Sequence, residues 1–328
     1  MCAPGGSSYV RHMTCSRIIR MLAFATLLGV GATFGFRDGI VAGVIVFVLV
    51  VPFEKLFRRH DQRLRRPGLG TDLAHVVARP VLAPVGLVVA VVVGALSFAW
   101  LPGLALRPIV GALPGWARVA AGVALFDLAA YWAHRWSHEV PFLWRFHSVH
   151  HSAAHLDWVS GFRVHPADGA LLAPPFVLLL GAGFTPATVG ALAVVQGVVG
   201  LFLHANVRWR LRPLQRVVAT PEFHHWHHAN DPDAWWTNYS GLLPVWDQVF
   251  GTYRVPADRR PQVYGTDTPV PVDLVGQLTW PLRGLPRPGW VLRHPVATAR
   301  RTATAARRGL GQVWHSTTRR RHPVPVPF

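Results

Sequence analysis

Long apolar runs, separated by short basic segments, dominate the sequence and predict helices that cross a membrane. Residues 80–100 form the clearest run, and their length matches the roughly 20 apolar residues that span the hydrocarbon core of a bilayer. Residues 116–132 form a second run, although Arg118 lies at its start and Asp127 inside it. Each run predicts one membrane-spanning helix.

Two further apolar stretches predict helical hairpins. Residues 21–53 are apolar except for Arg37 and Asp38, and one straight helix of that length would be about 50 Å long, more than the hydrocarbon core. The chain therefore turns near these two residues. Alternatively residues 21–36 are a signal peptide, which the preceding arginines would suit, but no clear cleavage site follows them. Residues 170–203 form the second hairpin.

The fold class predicted by this pattern is all-α: a polytopic membrane protein with about four to six transmembrane helices and a helical, histidine-rich cap. Composition supports it, since 51% of the residues are apolar and only 15% are charged. Such hydrophobicity excludes disorder for most of the chain. With two cysteines, Cys2 and Cys15, the chain is no disulfide scaffold.

The net charge of +18 would suit nucleic acid, but its distribution predicts a membrane partner and no nucleic acid. The basic residues flank the apolar runs, and six of them lie in the loop 54–66. Short cytoplasmic loops collect Lys and Arg. The chain is therefore expected to be an integral, multi-pass protein, of the plasma membrane if bacterial, with the histidines and the C-terminus in the cytoplasm.

Histidines are grouped at the spacing of metal ligands. His134 and His138 stand four residues apart after the run 116–132, and the pattern H-x-x-H-H occurs twice later. On a helix the members of each group share one face. The two later groups are His147, His150 and His151, and His224, His227 and His228. Eight imidazoles exceed what one ion accepts, so the pattern predicts two metal ions. The alternative is a solvated histidine-rich surface.

The sequence contains an ordered series of short motifs between residues 127 and 253. They are DLAAYWAHRWSH at 127–138, LWRFHSVHHS at 143–152, RVHP at 163–166, HAN at 204–206, TPEFHHWHH at 220–228, NY at 238–239, WD at 246–247 and FGTY at 250–253. This series resembles the fatty acid hydroxylase/sterol desaturase superfamily of membrane-bound di-iron oxygenases. Ser240 is a departure, because this family usually has Gly after the Asn-Tyr pair.

The resemblance implies two iron ions, with O2 as co-substrate, that hydroxylate or desaturate a lipid. It implies as iron ligands His134, His138, His147, His150, His151, His224, His227 and His228, and as further ligands or hydrogen-bond donors His165 and His204. Electrons would come from an external ferredoxin or reductase, because the chain has no flavin, haem or iron–sulfur signature. The lipid itself is left open, whether a sterol, a fatty acyl chain or another.

Residues that hydrogen-bond to the ligand histidines are expected to orient them, since a ligating imidazole normally donates its other N–H to a carboxylate or carbonyl. Asp127 is one candidate, because it precedes His134 by seven residues on the same helical face. Its alternative role is that of a counter-ion to Arg118 or Arg135. Further candidates are Asn206, Asp247, Asp157 and Asp168.

The predicted organisation has four regions. They are a basic N-terminal segment (1–20), transmembrane helices (21–126), a fatty acid hydroxylase-like di-iron domain (127–256) that includes the membrane hairpin near 170–203, and an Arg/Pro-rich flexible tail (257–328). Two other functions stay open: a histidine-rich membrane metal transporter and a dizinc membrane hydrolase. A transporter would distribute its histidines through the spans, whereas these cluster at one face.

Overall fold

The computed structural model describes residues 48, 50–63, 65–170 and 173–285, and over these ranges the chain is helical with no β-strand. The predicted hairpin at 21–53 lies outside the described residues except for its last few positions, which are helical. The longer helices are α1 (Leu69–Leu96), α2 (Trp100–Ala112), α3 (Gly115–Glu139), α4 (Pro141–His151), α6 (Ala173–Gly181) and α7 (Pro186–Leu203). The short ones are α5 (Pro166–Ala170), α8 (Pro221–His227), α9 (Val245–Val249) and α10 (Leu274–Thr279).

Two helices of the described ranges, α1 and α7, are long and apolar enough to cross a membrane. α1 contains 28 residues, or about 42 Å, and begins well before the predicted start at residue 80. It ends near Phe98, whose positive φ of 53° breaks the helix before α2. The predicted run 116–132 lies inside α3, which is not among the two candidate spans. The total of four to six crossings stays a prediction.

α2 is a helix that the hydropathy pattern did not predict, and it is held by close packing against α6. A Cβ atom on Gly103 would overlap the carbonyl oxygen of Leu178, and one on Gly181 would lie 2.8 Å from that of Trp100. Only glycine allows the two backbones to approach so closely. The neighbouring apolar core consists of Val110, Phe126, Leu179, Ala182, Phe184 and Val189. This core fixes α3, whose last turns carry His134 and His138.

Buried ion pairs attach the start of α1 to the loop that follows α4. Asp72 is fully buried and accepts hydrogen bonds from Arg66 at 2.8 Å and from Arg163 at 2.6 Å. Arg66 also binds Asp157, at 2.6 Å through each of two nitrogens. Charges buried in this way are stable only when paired, so the network holds Arg163 and its backbone in place.

Residues 257–285 belong to the folded body, although their composition placed them in the flexible tail. Tyr264 is buried against Ala153 and Leu156, and Gln277 of α10 is fully buried. The Gln277 amide oxygen lies 2.8 Å from Nε2 of His75 on α1. These contacts join distant parts of the chain, so the local pattern of apolar residues does not predict them. The predicted tail beyond residue 285 lies outside the described residues.

Candidate metal centre

Nine histidines converge into two adjacent clusters. The first cluster consists of His134, His138, His147, His151 and His227, and the second of His150, His204, His224 and His228. Within each cluster, one ring nitrogen of every member lies within 4.8 Å of those of all the others. The rings come from the end of α3, from α4, from the C-terminal end of α7 and from α8.

Local sequence explains why these helices meet. α3 stops at Glu139, because Val140 precedes a proline and is extended, and Pro141 then begins α4. The sharp turn folds α4 back, so that the rings of His138 and His151 are 4.6 Å apart. α8 begins at Pro221 after Thr220, whose hydroxyl accepts a hydrogen bond from the backbone N–H of Phe223.

Each H-x-x-H-H motif is divided between the two clusters, and the two motifs divide in opposite ways. On α4 the first and last histidines join the first cluster, while His150 joins the second. On α8 the first and last join the second cluster, while His227 joins the first. Residues four apart lie nearly above one another on a helix, whereas the one three residues along is rotated to the side. The shared face predicted from the spacing therefore contributes to two clusters.

The inner nitrogens have the spacing of metal ligands. Two imidazoles that bind one ion at roughly 2.0–2.1 Å place their nitrogens about 3.0–3.4 Å apart. The observed Nε2–Nε2 distances are 3.1 Å for His134–His147, 3.2 Å for His150–His204, 3.3 Å for His204–His224 and 3.1 Å for His224–His228. The Nε2 atoms of His138, His151 and His227 are buried without a hydrogen-bond partner in the described part of the chain. All three atoms belong to the first cluster, and an ion bound there would satisfy them.

The outer nitrogens of several rings donate to the backbone. A carbonyl oxygen only accepts, so a ring nitrogen beside it must carry the proton, which leaves Nε2 free to bind metal. The Nδ1 atoms that donate in this way, with their acceptors, are His134 to Tyr239 (2.7 Å), His150 to Arg163 (3.1 Å), His204 to Gly200 (2.7 Å) and His227 to Thr237 (2.8 Å).

Asp168 is the one carboxylate that contacts a clustered histidine among the described residues. Its two oxygens lie 3.0 and 3.1 Å from Nδ1 of His147. A carboxylate behind an imidazole makes the ring a better ligand and fixes its orientation. The sequence offered Asp168 as a candidate but could not pair it, because its partner lies 21 residues away on another helix.

Asp127, expected to bind a histidine, holds a loop instead. It accepts hydrogen bonds from the backbone N–H groups of Leu242 at 2.9 Å and Leu243 at 2.7 Å. Seven residues along a helix amount to about 10 Å, so Asp127 and His134 share a face but not a contact. The alternative pairing with arginine is not found among the described residues either, because Arg135 pairs with Glu139 at 2.8 Å and Arg118 donates to the carbonyl of Gly111 at 2.9 Å.

Asp247 and Asn206 bind backbone groups of other segments instead of the clustered histidines. Asp247 accepts from the backbone N–H groups of Tyr239 at 2.8 Å and Ser240 at 2.9 Å, and so holds the loop whose Tyr239 carbonyl binds His134. The Asn206 side chain bonds the backbone of His60 in both directions, at 2.9 Å each way. Neither contacts a clustered histidine directly, contrary to the expectation.

The structure brings His204 into the second cluster but leaves His165 outside both. His165 donates through Nε2 to the carbonyl of Leu278 at 3.2 Å and accepts at Nδ1 from the N–H of Ala167 at 3.1 Å. Both of its ring nitrogens are therefore used by the backbone. His225, off the motif spacing, is likewise bonded elsewhere, to Tyr264 at 2.8 Å and Ala205 at 3.1 Å.

Burial lowers the pKa of eight clustered imidazoles and so favours the neutral form, which is the form that binds metal. Desolvation, reinforced by the neighbouring ring of His147, lowers the pKa of His134 to about 3, and desolvation lowers that of His204 to about 4. The same two causes, burial and neighbouring rings, hold the pKa well below its ordinary value in His138, His150, His151, His224, His227 and His228.

Comparison with known proteins finds similarity to lipid hydroxylases and monooxygenases. The fatty acid hydroxylase family model matches residues 119–252, a range that contains every clustered histidine. The ornithine lipid hydroxylase OlsE of Rhizobium tropici is 28% identical over 86% of this chain and 92% of its own length. The alkylglycerol monooxygenases of Danio rerio and Homo sapiens are each 30% identical over 44% of this chain.

The chain spans about a third of the length of these two monooxygenases, since the match covers 32% of each. No solved structure matches. The family match, the similarity to a lipid hydroxylase along most of the chain and the two histidine clusters agree with one another. Residues 119–252 of the chain therefore match the fatty acid hydroxylase family.

Proposed function

We propose that this protein is a membrane-bound, O2-dependent lipid hydroxylase with a di-iron centre. The observation that carries the proposal is the pair of adjacent clusters, whose buried inner nitrogens lie at ligand spacing; those of His138, His151 and His227 have no hydrogen-bond partner among the described residues. Imidazole suits iron, copper, zinc and nickel, so the donor atoms alone do not select iron. Similarity to a lipid hydroxylase and to lipid monooxygenases favours iron and oxygen chemistry.

One ion would be held by the five histidines of the first cluster and the other by the four of the second. Together the ions would supply the redox chemistry by which O2, two electrons and two protons convert a lipid C–H bond into an alcohol, with one oxygen atom leaving as water. The second cluster offers fewer ligands, so it leaves more room for O2 and substrate.

The residues of the chain itself prepare the site for this reaction. Burial excludes water from the clusters, while backbone carbonyls and Asp168 orient the rings before any ion binds. Preorganised ligands do not have to rearrange during turnover. The protein's contribution is therefore a dry, rigid and nitrogen-rich cage.

Lipid would reach this cage from the bilayer. His204 caps α7, one of the two helices able to span a membrane, so the second cluster would lie at a membrane surface. The excess of arginine in the flanking segments favours the cytoplasmic surface. External electrons from a ferredoxin or reductase would arrive on that side.

The proposal is tested by anaerobic purification of the full chain, metal analysis and incubation with a reductant and isotopically labelled O2. The names of the relatives make an ornithine lipid and an alkylglycerol the first substrates to try. We expect about two irons per chain and a lipid product that has gained one labelled oxygen atom.

Other outcomes distinguish the alternatives. Loss of a hydrogen pair without gain of oxygen would identify a desaturase. Zinc in place of iron, with product formed in the absence of O2, would identify a dizinc hydrolase and overturn the proposal. Metal uptake by vesicles with no lipid product would identify a transporter.

A further inference from the structure

A groove with a volume of about 230 Å³ lies along the junction between α1 and the segment 162–169. None of the clustered histidines lines it. Its far wall is nevertheless the segment that orients both clusters, because the Arg163 carbonyl binds His150 and the Asp168 carboxylate binds His147. The groove is thus a separate site that adjoins the metal centre.

The side of the groove formed by α1 changes from charged to apolar along the helix. Arg79 lies near one end, and Leu82, Ala83, Leu87 and Ala90 follow toward the other. These positions recur at helical spacing and so form one stripe, about 16 Å long from Arg79 to Ala90. A charge followed by an apolar stripe on a membrane-spanning candidate matches the headgroup and first carbons of a lipid.

Arg79 is the cation that this groove leaves free. Its guanidinium lies over the ring of Phe162, 5.6 Å from the centroid, and has no ion pair or hydrogen bond within the described ranges. Arg66 and Arg163, a short distance away, are both paired with Asp72. The cation–π contact positions the guanidinium without neutralising its charge.

The two histidines at the same end are already occupied. His75 bonds Gln277 at 2.8 Å, and His165 uses both ring nitrogens on the backbone. Arg79 is the one arginine or lysine that lines the groove, so the groove provides one permanent positive charge. A single anionic group, such as a phosphodiester, complements it.

We propose that this groove binds an anionic phospholipid, with the phosphate on Arg79 and the first part of an acyl chain along α1. The groove is separate from the proposed oxidation centre. Lipid binding there can therefore be tested whether or not the proposed reaction is correct. Occupancy would steady the segment 162–169, whose other face orients His147 and His150.

Gly169 allows a steric test of the groove. Gly169 lines the groove, and a Cβ atom there would meet no other atom within 4 Å. A larger side chain would therefore occupy the groove without clashing with neighbouring protein atoms. Gly197 on α7 also has nothing within 4 Å but is not part of the groove. Gly169→Leu and Gly197→Leu are therefore a matched pair.

The experiment uses the full chain in nanodiscs of phosphatidylcholine, with phosphatidylglycerol as the anionic probe, and native mass spectrometry to count retained lipids. Hydrogen exchange of residues 162–169 is followed in parallel. We expect the parent protein to prefer phosphatidylglycerol by about tenfold, since a charge-assisted hydrogen bond contributes that order of affinity. The probe should also slow exchange in the segment.

Arg79→Gln should abolish the preference for phosphatidylglycerol, and Arg79→Lys should keep most of it. Gly169→Leu should retain neither lipid in the groove, while Gly197→Leu should behave as the parent protein. Melting temperature and iron content confirm that each variant is folded. An unchanged preference in folded Arg79→Gln, or full retention in folded Gly169→Leu, would overturn the proposal. Displacement of the probe by inorganic phosphate as readily as by phospholipid would overturn the role of the acyl chain.

Discussion

The imidazole rings of His151 and His228 stack on each other, with centroids 4.2 Å apart and planes 16° from parallel. His151 belongs to the first cluster and His228 to the second. The two clusters therefore share a boundary at which α4 and α8 are in direct contact. A substitution in one cluster is expected to disturb the other, and metal content is the quantity that reports it.

Replacement of a clustered histidine should remove metal. In His150→Ala the second cluster keeps three histidines, and we expect loss of at least one iron per chain and a fall in product of at least about 100-fold. His155→Ala is the matched control, because His155 lies close by in sequence but outside both clusters. Equal iron contents in the two variants would contradict the assignment of His150.

Asp168→Asn should weaken the centre without removing a ligand. The amide oxygen can still accept from His147, but the negative charge that strengthens this ligand is lost. We expect a loss of about 10- to 100-fold in iron affinity or activity. Asp258→Asn, at an exposed position, serves as the control. Unchanged iron affinity in Asp168→Asn would show that the hydrogen bond alone is sufficient.

The metal-free protein should lose stability as the pH falls below about 6.5. The pKa of His134 is lowered to about 3 and that of His204 to about 4, so these rings stay neutral in the fold while they become protonated in the unfolded chain. Between pH 6.5 and about 4 the unfolded state binds more protons, and each such histidine costs up to about 1.4 kcal/mol per pH unit. Melting temperatures of the metal-free chain at about pH 7.5 and about pH 5 measure the effect, and identical values would contradict it.

Buried and exposed ion pairs should differ sharply in their contribution to stability. Asp72→Asn leaves the buried Arg163 without its carboxylate, so we expect a loss of about 3 kcal/mol in the free energy of unfolding. Asp61→Asn breaks an exposed pair with Arg58 and should cost less than about 1 kcal/mol. Denaturation of the purified chain in mild detergent compares the two. A smaller effect at Asp72 than at Asp61 would refute the structural role of the buried network.

Electron delivery by an acidic ferredoxin should depend on ionic strength. Arg208, Arg212 and Arg216 are exposed beyond the end of α7, on the side proposed for the donor. Salt screens such charges, so turnover at limiting ferredoxin should fall by about tenfold between low and physiological salt. Turnover with a small uncharged reductant is the control and should stay constant. Equal salt dependence for both donors would exclude steering by these arginines.

Much of the site was predictable because most of its histidines are spaced at helical intervals along the sequence. His134 and His138, and both H-x-x-H-H motifs, stand at helical intervals, and helices form at all three positions. The Asp168–His147 contact was not predictable, because nothing in either residue's neighbourhood indicates the other. Asp127 was misassigned for the converse reason, since a shared helical face does not imply a shared contact.

The sequence by itself determined that the protein is helical and apolar, and which histidines could bind metal, because periodicity and hydropathy depend on neighbours along the chain. Only the tertiary structure decided how those histidines are divided between the two clusters. His134 is held by Tyr239, 105 residues away, and His150 faces His204, 54 residues away. The tertiary structure also left His165 outside both clusters and placed residues 257–285 in the folded body. Such contacts depend on how α1, α3, α4, α7 and α8 pack together, and packing is a property of the whole fold.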